Sequence, residues 1–246
     1  MLLTFICEMM MIKLALSSAL PLTYTEEIND ITDLILERTL QIVRSHHQEV
    51  IPIQDLDITF KPGISKPSGT IEARDGGFRG LDSIEREGDA FLIRTDENDM
   101  KLVALMRMST MSYFYNSYSV NVNNTAQSGS LNVVIKENLV KMDLHLTTAE
   151  ECAFQLTDLN IKIANNYTVQ MSLMEVQPLF YQELINWACE TYLTVITDTV
   201  REALFNNINQ ALHDLEICHF IMSPNGLADL LPKKRLDLPF FSFNLN

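Results

Sequence analysis

The chain has 246 residues, of which 47% are hydrophobic and 20% are charged, and its net charge is −14. This length suffices for one large domain with a substantial core, or for two small ones. Binding to a nucleic acid backbone requires many Lys and Arg side chains, whereas here 32 acidic residues outnumber 18 basic ones. The composition therefore argues against nucleic acid as a partner.

The first 22 residues are mostly apolar, and Glu8 and Lys13 interrupt them. This interruption argues against a stable membrane span. From residue 11 onward, a lysine, an apolar run and the small residues Ser17 and Ala19 resemble a short secretory signal with its cleavage site. A frayed apolar N-terminus is the alternative. We expect residues 1–22 to be signal-like and the protein to be secreted.

Two glycosylation triplets agree with secretion. They begin at Asn123 and Asn166, and each has threonine at its third position. Asn123 and Asn166 are therefore candidate glycosylation sites of an extracellular glycoprotein, although such triplets are common by chance.

A first helix is predicted over residues 24–47. Thr23 provides an N-cap, and Glu26 follows at the third place after it. Acidic residues fall in the first turns and basic residues in the last ones, which suits the helix dipole. The apolar face consists of Ile28, Ile31, Ile35, Thr39 and Ile42.

The middle of the chain changes from loop to strands. Residues 51–67 carry Pro52, Pro62 and Pro67 and predict a connecting loop. Beyond Gly69, apolar residues alternate as they do in strands. Turns are predicted at residues 75–77, 88–89, 97–99, 127–129 and 165–166. Strands are predicted at residues 78–87, between the turns at 88–89 and 97–99, and at residues 101–122, 131–146, 153–163 and 167–176.

The alternation changes phase inside the last three of these strands. A strand that keeps one face on a core changes phase only at a bulge or bend, or where it passes to another packing partner. Three such events favour a strongly curled antiparallel sheet. The element order is then helix, meander, helix, which predicts a single α+β domain over residues 23–220. Residues 221–246 are predicted to form an irregular tail, whose basic triplet at 233–235 is either solvated or a processing site.

A second long helix is predicted over Phe180–Ile217, a stretch without proline or glycine. At 1.5 Å per residue it would be roughly 57 Å long, which exceeds the diameter of roughly 44 Å expected for a compact domain of this size. We therefore expect an elongated fold. The apolar stripe from Leu184 to Leu215 advances by roughly 3.9 residues per step, so it winds right-handedly around the helix. A curling sheet could follow such a stripe, and a helix buried all round near its middle is the alternative.

The cysteine count is too low for a disulfide-built scaffold, since the chain has four cysteines. Cys189 and Cys218 would lie roughly 43 Å apart on one helix and could not pair with each other. Cys152 could reach one of them or neither. Buried free thiols are the favoured interpretation.

No catalytic motif is evident. The sequence lacks a nucleophile elbow, a phosphate-binding glycine loop and a His-Glu-x-x-His zinc signature. His213, Cys218 and His219 would lie on different sides of a helix, which makes them poor metal ligands. We expect no enzyme activity, no cofactor and no metal site.

Seven methionines fall in the strand region, at positions 100, 106, 108, 111, 142, 171 and 174. Methionine is placed where an apolar surface must adapt to variable partners, although ordinary core filling explains any single one. We combine some of these with apolar residues of the helix stripes and the predicted sheet face. The candidate ligand-lining residues are Ile31, Ile35, Ile42, Met106, Met108, Phe114, Val140, Met142, Leu144, Met171, Leu173, Leu184, Tyr192, Val195 and Ile196.

Several segments resemble the mite group-seven allergens and their secreted arthropod relatives. The segments that carry the resemblance are Tyr24–Asn29, Gly69–Ile71, Gly76–Leu81, Arg86–Ala90 and Val195–Arg201. The resemblance covers about residues 23–217. It implies a long curled antiparallel sheet wrapped around two long helices, as in one half of the bactericidal/permeability-increasing proteins. It also implies a superfamily whose takeout-like and juvenile-hormone-binding carriers hold lipids in an apolar tunnel.

We therefore expect a secreted, non-enzymatic protein that binds a lipid or another hydrophobic ligand between the two helices and the concave sheet. The alternative is an innate-recognition or protein-interaction module. It would bind microbial or membrane lipid, or a protein partner, at its surface without an internal ligand. The net charge of −14 counts against anionic membranes. The sequence leaves the oligomeric state open.

Overall fold

The computed structural model describes residues 25–60, 68–94, 99–122, 125–148, 152–163, 167–172, 179–215 and 217–218. The long helices in this part of the chain are α1 (Asn29–Ser45) and α2 (Leu179–Asp214). The strands are β1 (Thr25–Glu27), β2 (Val50–Ile53), β3 (Leu56–Phe60), β4 (Gly69–Arg79), β5 (Ile84–Arg86), β6 (Phe91–Arg94), β7 (Asp99–Met108), β8 (Met111–Val122), β9 (Thr125–Ile135), β10 (Asn138–Thr147), β11 (Ala153–Ile163) and β12 (Tyr167–Met171). Neither α1 nor α2 combines the length and the hydropathy that a membrane-crossing helix requires.

The strands form two six-stranded antiparallel sheets. Sheet A has the order β1-β6-β7-β10-β11, with β5 also beside β7, and sheet B has the order β12-β9-β8-β4-β2, with β3 also beside β4. Along the described strands, the chain passes from one sheet to the other five times, namely between β1 and β2, β4 and β5, β7 and β8, β9 and β10, and β11 and β12. Both sheets and both helices contribute to one hydrophobic core. The predicted α+β class, with antiparallel strands and two long helices, is confirmed.

Helix α1 begins five residues later than predicted. Residues 25–27 form β1, which pairs with β6, and Ile28 has an extended φ of −131°. The Ile28 N–H donates to the Ala90 carbonyl at 3.0 Å, and the Ala90 N–H donates to Oδ1 of Asn29 at 2.8 Å. Pairing with the chain around Ala90 therefore keeps the predicted first turn extended. The helix ends at Ser45, and His47 nearby has a φ of 55°.

The loop predicted over residues 51–67 is wrong for its first part, because β2 and β3 occupy most of residues 50–60. Both pair with β4 in antiparallel register. Pro52 is compatible with β2 because β2 is the last strand of sheet B, where one side of the backbone needs no partner strand.

Two predicted turns lie inside strands. Residues 75–77 belong to β4 and residues 127–129 belong to β9. A Cβ atom at Gly76 would lie 2.5 Å from Cε1 of Tyr115, and one at Gly77 would lie 2.5 Å from Cζ of Phe114. These glycines therefore admit aromatic rings of β8 at close range and do not mark a chain reversal.

Two predicted long strands are each split between the sheets. Residues 101–122 contain most of β7 and all of β8, joined at Ser109 and Thr110. The Ser109 N–H donates to the Ser83 carbonyl at 3.2 Å, and the Thr110 N–H donates to Ser83 Oγ at 3.1 Å. This turn is held by a residue distant in sequence, so neither glycine nor proline signals it. Residues 131–146 are likewise split, and their phase change marks the passage from β9 in sheet B to β10 in sheet A.

Strand β11 has the predicted bounds and the predicted phase change. Leu156 pairs with Leu144, but Asp158 pairs with Asp143, which leaves Thr157 as an extra residue. Thr157 Oγ1 donates to the Asp143 carbonyl at 3.0 Å. The phase change is therefore a β-bulge. The third phase change falls at residues 173–176, outside the described residues.

Helix α2 lies where the second helix was predicted. Its deeply buried residues Ile196, Val200, Leu204, Ile208 and Leu212 are spaced by four, which is more than 3.6, so the buried stripe winds right-handedly as expected. The stripe of the N-terminal half is less complete, since Leu184, Tyr192 and Leu193 are only partly buried.

Candidate ligand-binding interior

A small apolar cavity lies between the N-terminal half of α2 and sheet B. Its volume is about 20 Å³, and roughly 10–15 Å³ suffices for one water molecule. Helix α2 covers one side, and strands β3, β4, β8 and β9 form the other. The lining residues are Leu56, Ile71, Ala73, Tyr113, Tyr115, Tyr118, Leu131, Ile185, Ala188, Cys189, Tyr192 and Ile196.

Strand β8 places three tyrosines on the cavity side. Tyr113 and Tyr115 are two residues apart, so their side chains lie on the same face of β8. If the alternation continued, Tyr118 would lie on the opposite face. A register shift against β9 between Tyr115 and Tyr118 turns Tyr118 to the same face. All three are buried. The long aromatic side chains fill the space between sheet B and α2.

The polar atoms of these side chains differ in their partners. The Tyr113 hydroxyl interacts with the Cys189 thiol. The Tyr115 hydroxyl donates to the Gln54 carbonyl at 2.8 Å. The Tyr118 hydroxyl is buried and has no hydrogen-bond partner.

Burial controls the protonation of this interior. It raises the pKa of the Tyr113, Tyr115 and Tyr118 hydroxyls above the ordinary tyrosine value. Burial is also the main cause that raises the pKa of Cys189 to about 11. The cavity therefore presents neutral groups near pH 7, which suits an apolar ligand better than an ion.

One residue pair near the cavity is more polar. The Tyr167 hydroxyl on β12 donates to Oε1 of Glu190 on α2 at 2.9 Å. Burial and this hydrogen bond raise the pKa of Tyr167 to about 12. The pair links β12 to α2 beside Cys189, so it fixes one side of the region that covers the cavity.

The predicted ligand-lining residues are spread over the core. Tyr192 and Ile196 line the cavity. Met171 and Leu184 are partly buried against the core, while Leu173, Asn123 and Asn166 lie outside the described residues. The others that are fully buried lie in α1 or on the inner face of sheet A, away from the cavity: Ile31, Ile35, Ile42, Met106, Met108, Val140, Met142 and Leu144.

Two predicted lining residues do not face the interior. Phe114 lies on the opposite face of β8 from Tyr113, and the Arg79 guanidinium lies 4.3 Å from the centre of its ring. Its assignment to the inner face assumed one uninterrupted strand over residues 101–122. Val195 is 40% exposed on the outer side of α2, because the buried stripe passes through Ile196.

Ten of the twelve cavity residues were not predicted as ligand-lining, among them the tyrosines of β8 and Cys189. The signal for Tyr113 and Tyr115 was that they share odd-numbered positions with Met111. Met106 and Met108, before the turn, occupy even-numbered positions. Recognising it requires a strand break at residues 109–110.

The cysteines differ from the favoured interpretation. Cys152 and Cys218 form a disulfide with Cα atoms 5.5 Å apart, so they are neither free thiols nor metal ligands. Cys189 is free and buried, as predicted. The disulfide joins the chain after α2 to the residue that precedes β11. Within the described ranges, no three His, Cys, Asp or Glu side chains are grouped as metal ligands.

The outer side of α2 carries exposed apolar surface. Trp187 is 44% exposed, and Val195, about two turns further along α2, is 40% exposed. An open groove of about 440 Å³ runs between α2 and β11, and its lining is mixed polar and apolar, from Asp158 and Ile161 to Leu193 and Arg201.

Comparison with known proteins assigns the family. The family model described as group 7 allergen matches residues 27–217. The chain belongs to the group 7 allergen family. This confirms the resemblance found in the sequence, and the match to group 7 allergens begins within β1 and ends just beyond α2.

Two solved structures are similar to this group 7 allergen family member. One is lipopolysaccharide binding protein, at 14% identity and a TM-score of 0.44, over 82% of this chain and 40% of that chain. The other is Takeout 1 of Epiphyas postvittana, at 10% identity and a TM-score of 0.37, over 81% of this chain and 93% of that chain. The chain thus spans less than half the length of lipopolysaccharide binding protein. No curated protein sequence matches it.

Proposed function

We propose that the protein binds a lipid or another hydrophobic ligand in its interior, between α2 and the sheets, and that it does so without catalysis. The observation that carries this proposal is the apolar cavity beneath the N-terminal half of α2. Ligand pockets usually measure roughly 300–1,000 Å³, so a cavity of about 20 Å³ must expand when a ligand enters.

The packing of α2 supports such an expansion. Val200, Leu204 and Ile208 in its C-terminal half are fully buried. In contrast, Leu184 and Tyr192 in the N-terminal half are partly buried, and Trp187 is exposed. The N-terminal half buries less apolar surface, so its displacement from the sheets requires less free energy than displacement of the C-terminal half.

The inner faces of both sheets can adapt to a ligand. Met106, Met108, Met111 and Met142 are all buried in the common core. Methionine side chains are unbranched and change shape at low cost. Rearrangement of these side chains would let the core adjust when the cavity expands.

Secretion is part of the proposal. The Cys152–Cys218 disulfide supports it, because disulfides persist mainly in oxidising compartments. Residues 1–22 would be the cleaved signal, residues 23–220 the binding domain, and residues 221–246 a tail outside it. Asn123 and Asn166 would carry glycans.

Displacement of N-phenyl-1-naphthylamine by lipids, together with native mass spectrometry, tests the internal binding. We expect one probe per chain, and we expect Ala188→Phe to weaken probe binding at least tenfold because its ring fills the cavity. Val195→Phe adds a similar bulk on the exposed side and should leave binding unchanged. Equal affinities for both folded variants would contradict an internal site.

A second candidate function is recognition at the surface. Trp187 and Val195 favour it, since an exposed Trp on one helix side suits a membrane interface or an apolar partner. In this case Trp187→Ala would abolish binding to neutral phosphatidylcholine vesicles while the wild-type protein takes up no internal probe. Retained vesicle binding by this variant would argue against it.

A further inference from the structure

The Tyr118 hydroxyl is an exception among the polar groups of the interior. Tyr118 is 3% exposed, and its hydroxyl has no hydrogen-bond partner. Tyr115, on the same strand and the same face, has a hydrogen-bond partner. Native structures satisfy nearly all buried polar groups, and leaving one unsatisfied is unfavourable. This hydroxyl therefore has unused hydrogen-bonding capacity beside the cavity.

The strand opposite Tyr118 approaches its side chain closely. Tyr118 pairs with Gly129 of β9. A Cβ atom at Gly129 would lie 3.4 Å from the Tyr118 hydroxyl oxygen and 3.2 Å from its Cε1 atom. The same Cβ atom would lie 2.3 Å from the Ser172 carbonyl oxygen. The glycine therefore lets the Ser172 backbone and the Tyr118 ring approach each other on this side, so the ligand must reach the hydroxyl from the cavity side.

The charges around the cavity restrict the ligand. The twelve lining residues include no Asp, Glu, Lys, Arg or His. An ionised headgroup in such an apolar site would be desolvated without a counter-ion, which is strongly unfavourable. Moving a neutral hydroxyl or carbonyl group out of water costs less free energy. A tyrosine hydroxyl can donate a hydrogen bond to either group and can also accept one from a hydroxyl.

We propose that Tyr118 hydrogen-bonds the polar group of the internal ligand, and that this ligand is a neutral lipid with a hydroxyl or carbonyl group, such as a long-chain alcohol or ester. This inference rests on the proposed internal binding. A fatty acid anion is the ligand that the site disfavours. A single water molecule bound to Tyr118 is the competing explanation, because the cavity volume of about 20 Å³ accommodates one.

The test measures displacement of N-phenyl-1-naphthylamine by 1-decanol, decyl acetate and decanoate at pH 8. Wild-type protein should bind decanol at least tenfold more tightly than decanoate. Tyr118→Phe should weaken decanol and decyl acetate about fivefold to tenfold, in line with the loss of one hydrogen bond, and leave affinity for the probe unchanged. Ser117→Ala is the control, because it removes a hydroxyl from the exposed neighbour of Tyr118 on β8, outside the cavity lining, and it should bind decanol like the wild type.

Each other outcome has a distinct meaning. Equal decanol affinity of wild type and Tyr118→Phe would overturn the role of Tyr118 and leave a bound water as its partner. Decanoate binding as tight as decanol binding would overturn the neutral ligand class. Absence of any probe or decanol binding by the wild type would overturn the proposed function itself. Thermal unfolding of ligand-free Tyr118→Phe should occur at the wild-type temperature or above it, since the variant removes a buried hydroxyl without a partner, so a loss of decanol affinity would not reflect unfolding.

Discussion

Arg38 of α1 and Asp214, the last residue of α2, form an ion pair with Nη2 2.6 Å from Oδ2. Arg38 Nε donates to the same oxygen at 3.1 Å. Nearby, Asn207 Nδ2 donates to Oε1 of Gln48, just beyond α1, at 2.7 Å. These contacts join the C-terminal end of α2 to α1, while the opposite end of α2 covers the cavity.

Replacement of Arg38 by Ala should lower the free energy of unfolding by about 0.5–1 kcal/mol, because the pair is partly exposed and solvent screens it. Chemical denaturation measures this change. Arg201→Ala is a suitable control, since its pair with Asp198 is also exposed but lies within one helix, and it should cost less than about 0.5 kcal/mol. An equal decrease in the free energy of unfolding of both variants would show that the contact between the helices does not add to stability.

Removal of the disulfide should have a larger effect. The paired Cys152→Ser and Cys218→Ser variant releases a loop whose ends are 66 residues apart. We expect a loss of about 2–4 kcal/mol and a decrease in Tm of about 5–15 °C. Calorimetry with and without reductant checks this. Reductant should lower the Tm of the wild type and leave the variant unchanged. A wild-type Tm that is insensitive to reductant would contradict the prediction.

Asp143 should make stability depend on acid pH. Lys101 and Lys141 each place Nζ 2.8 Å from its Oδ2 atom. Burial alone would raise the pKa of Asp143, but the hydrogen bonds from the two lysines outweigh it and hold the pKa below its ordinary value. Since the folded-state pKa is the lower one, the stabilisation is complete above pH ~4 and is lost as the pH falls through the folded-state pKa.

Asp143→Asn should therefore cost about 1–3 kcal/mol near pH 7, and the difference from the wild type should shrink towards pH 2–3. Urea denaturation across this range measures it. Asp158→Asn, on the exposed face of the pairing strand β11, should have a smaller effect. A difference between wild type and Asp143→Asn that stays constant with pH would contradict the argument.

Cys189 should be unreactive in the folded protein and should limit stability at alkaline pH. Its pKa of about 11 exceeds the ordinary cysteine value of about 8.5. Since the folded-state pKa is the higher one, the stabilisation is complete below pH ~8.5 and is lost as the pH rises towards the folded-state value. In a Cys7→Ser background, Ellman's reagent at pH 8 should label Cys189 only at the rate of unfolding. Complete labelling of the native protein within seconds would contradict this burial.

The fold class and both long helices could be predicted from the sequence because each depends on periodicity over many residues. Helix α2 extends through about ten turns, and its stripe at Ile196, Val200 and Leu204 has the predicted winding. The bulge at Thr157 was also predictable, because the apolar residues of β11 change phase there. Such patterns reflect burial, and burial is common to the whole element.

Errors arose where one long-range contact decides the local structure. Ser83 holds the turn between β7 and β8, so residues 101–122 resemble one strand although they belong to two sheets. Gly76 resembles a turn residue, but the ring of Tyr115 requires it. Because the break at residues 109–110 was missed, Phe114 was assigned to the interior in place of Tyr113, and the cavity residues of β8 were not predicted.

The pairing of α1 with α2 has a consequence for synthesis. About 130 residues separate the two helices, and at a translation rate of about 5–20 residues per second the second emerges roughly 7–25 s after the first. The apolar side of α1, with Ile35 and Val43 wholly buried in the finished protein, has no α2 to cover it during that interval. The nascent chain therefore depends on chaperones or on early pairing of the β8–β9 hairpin to avoid aggregation until α2 docks.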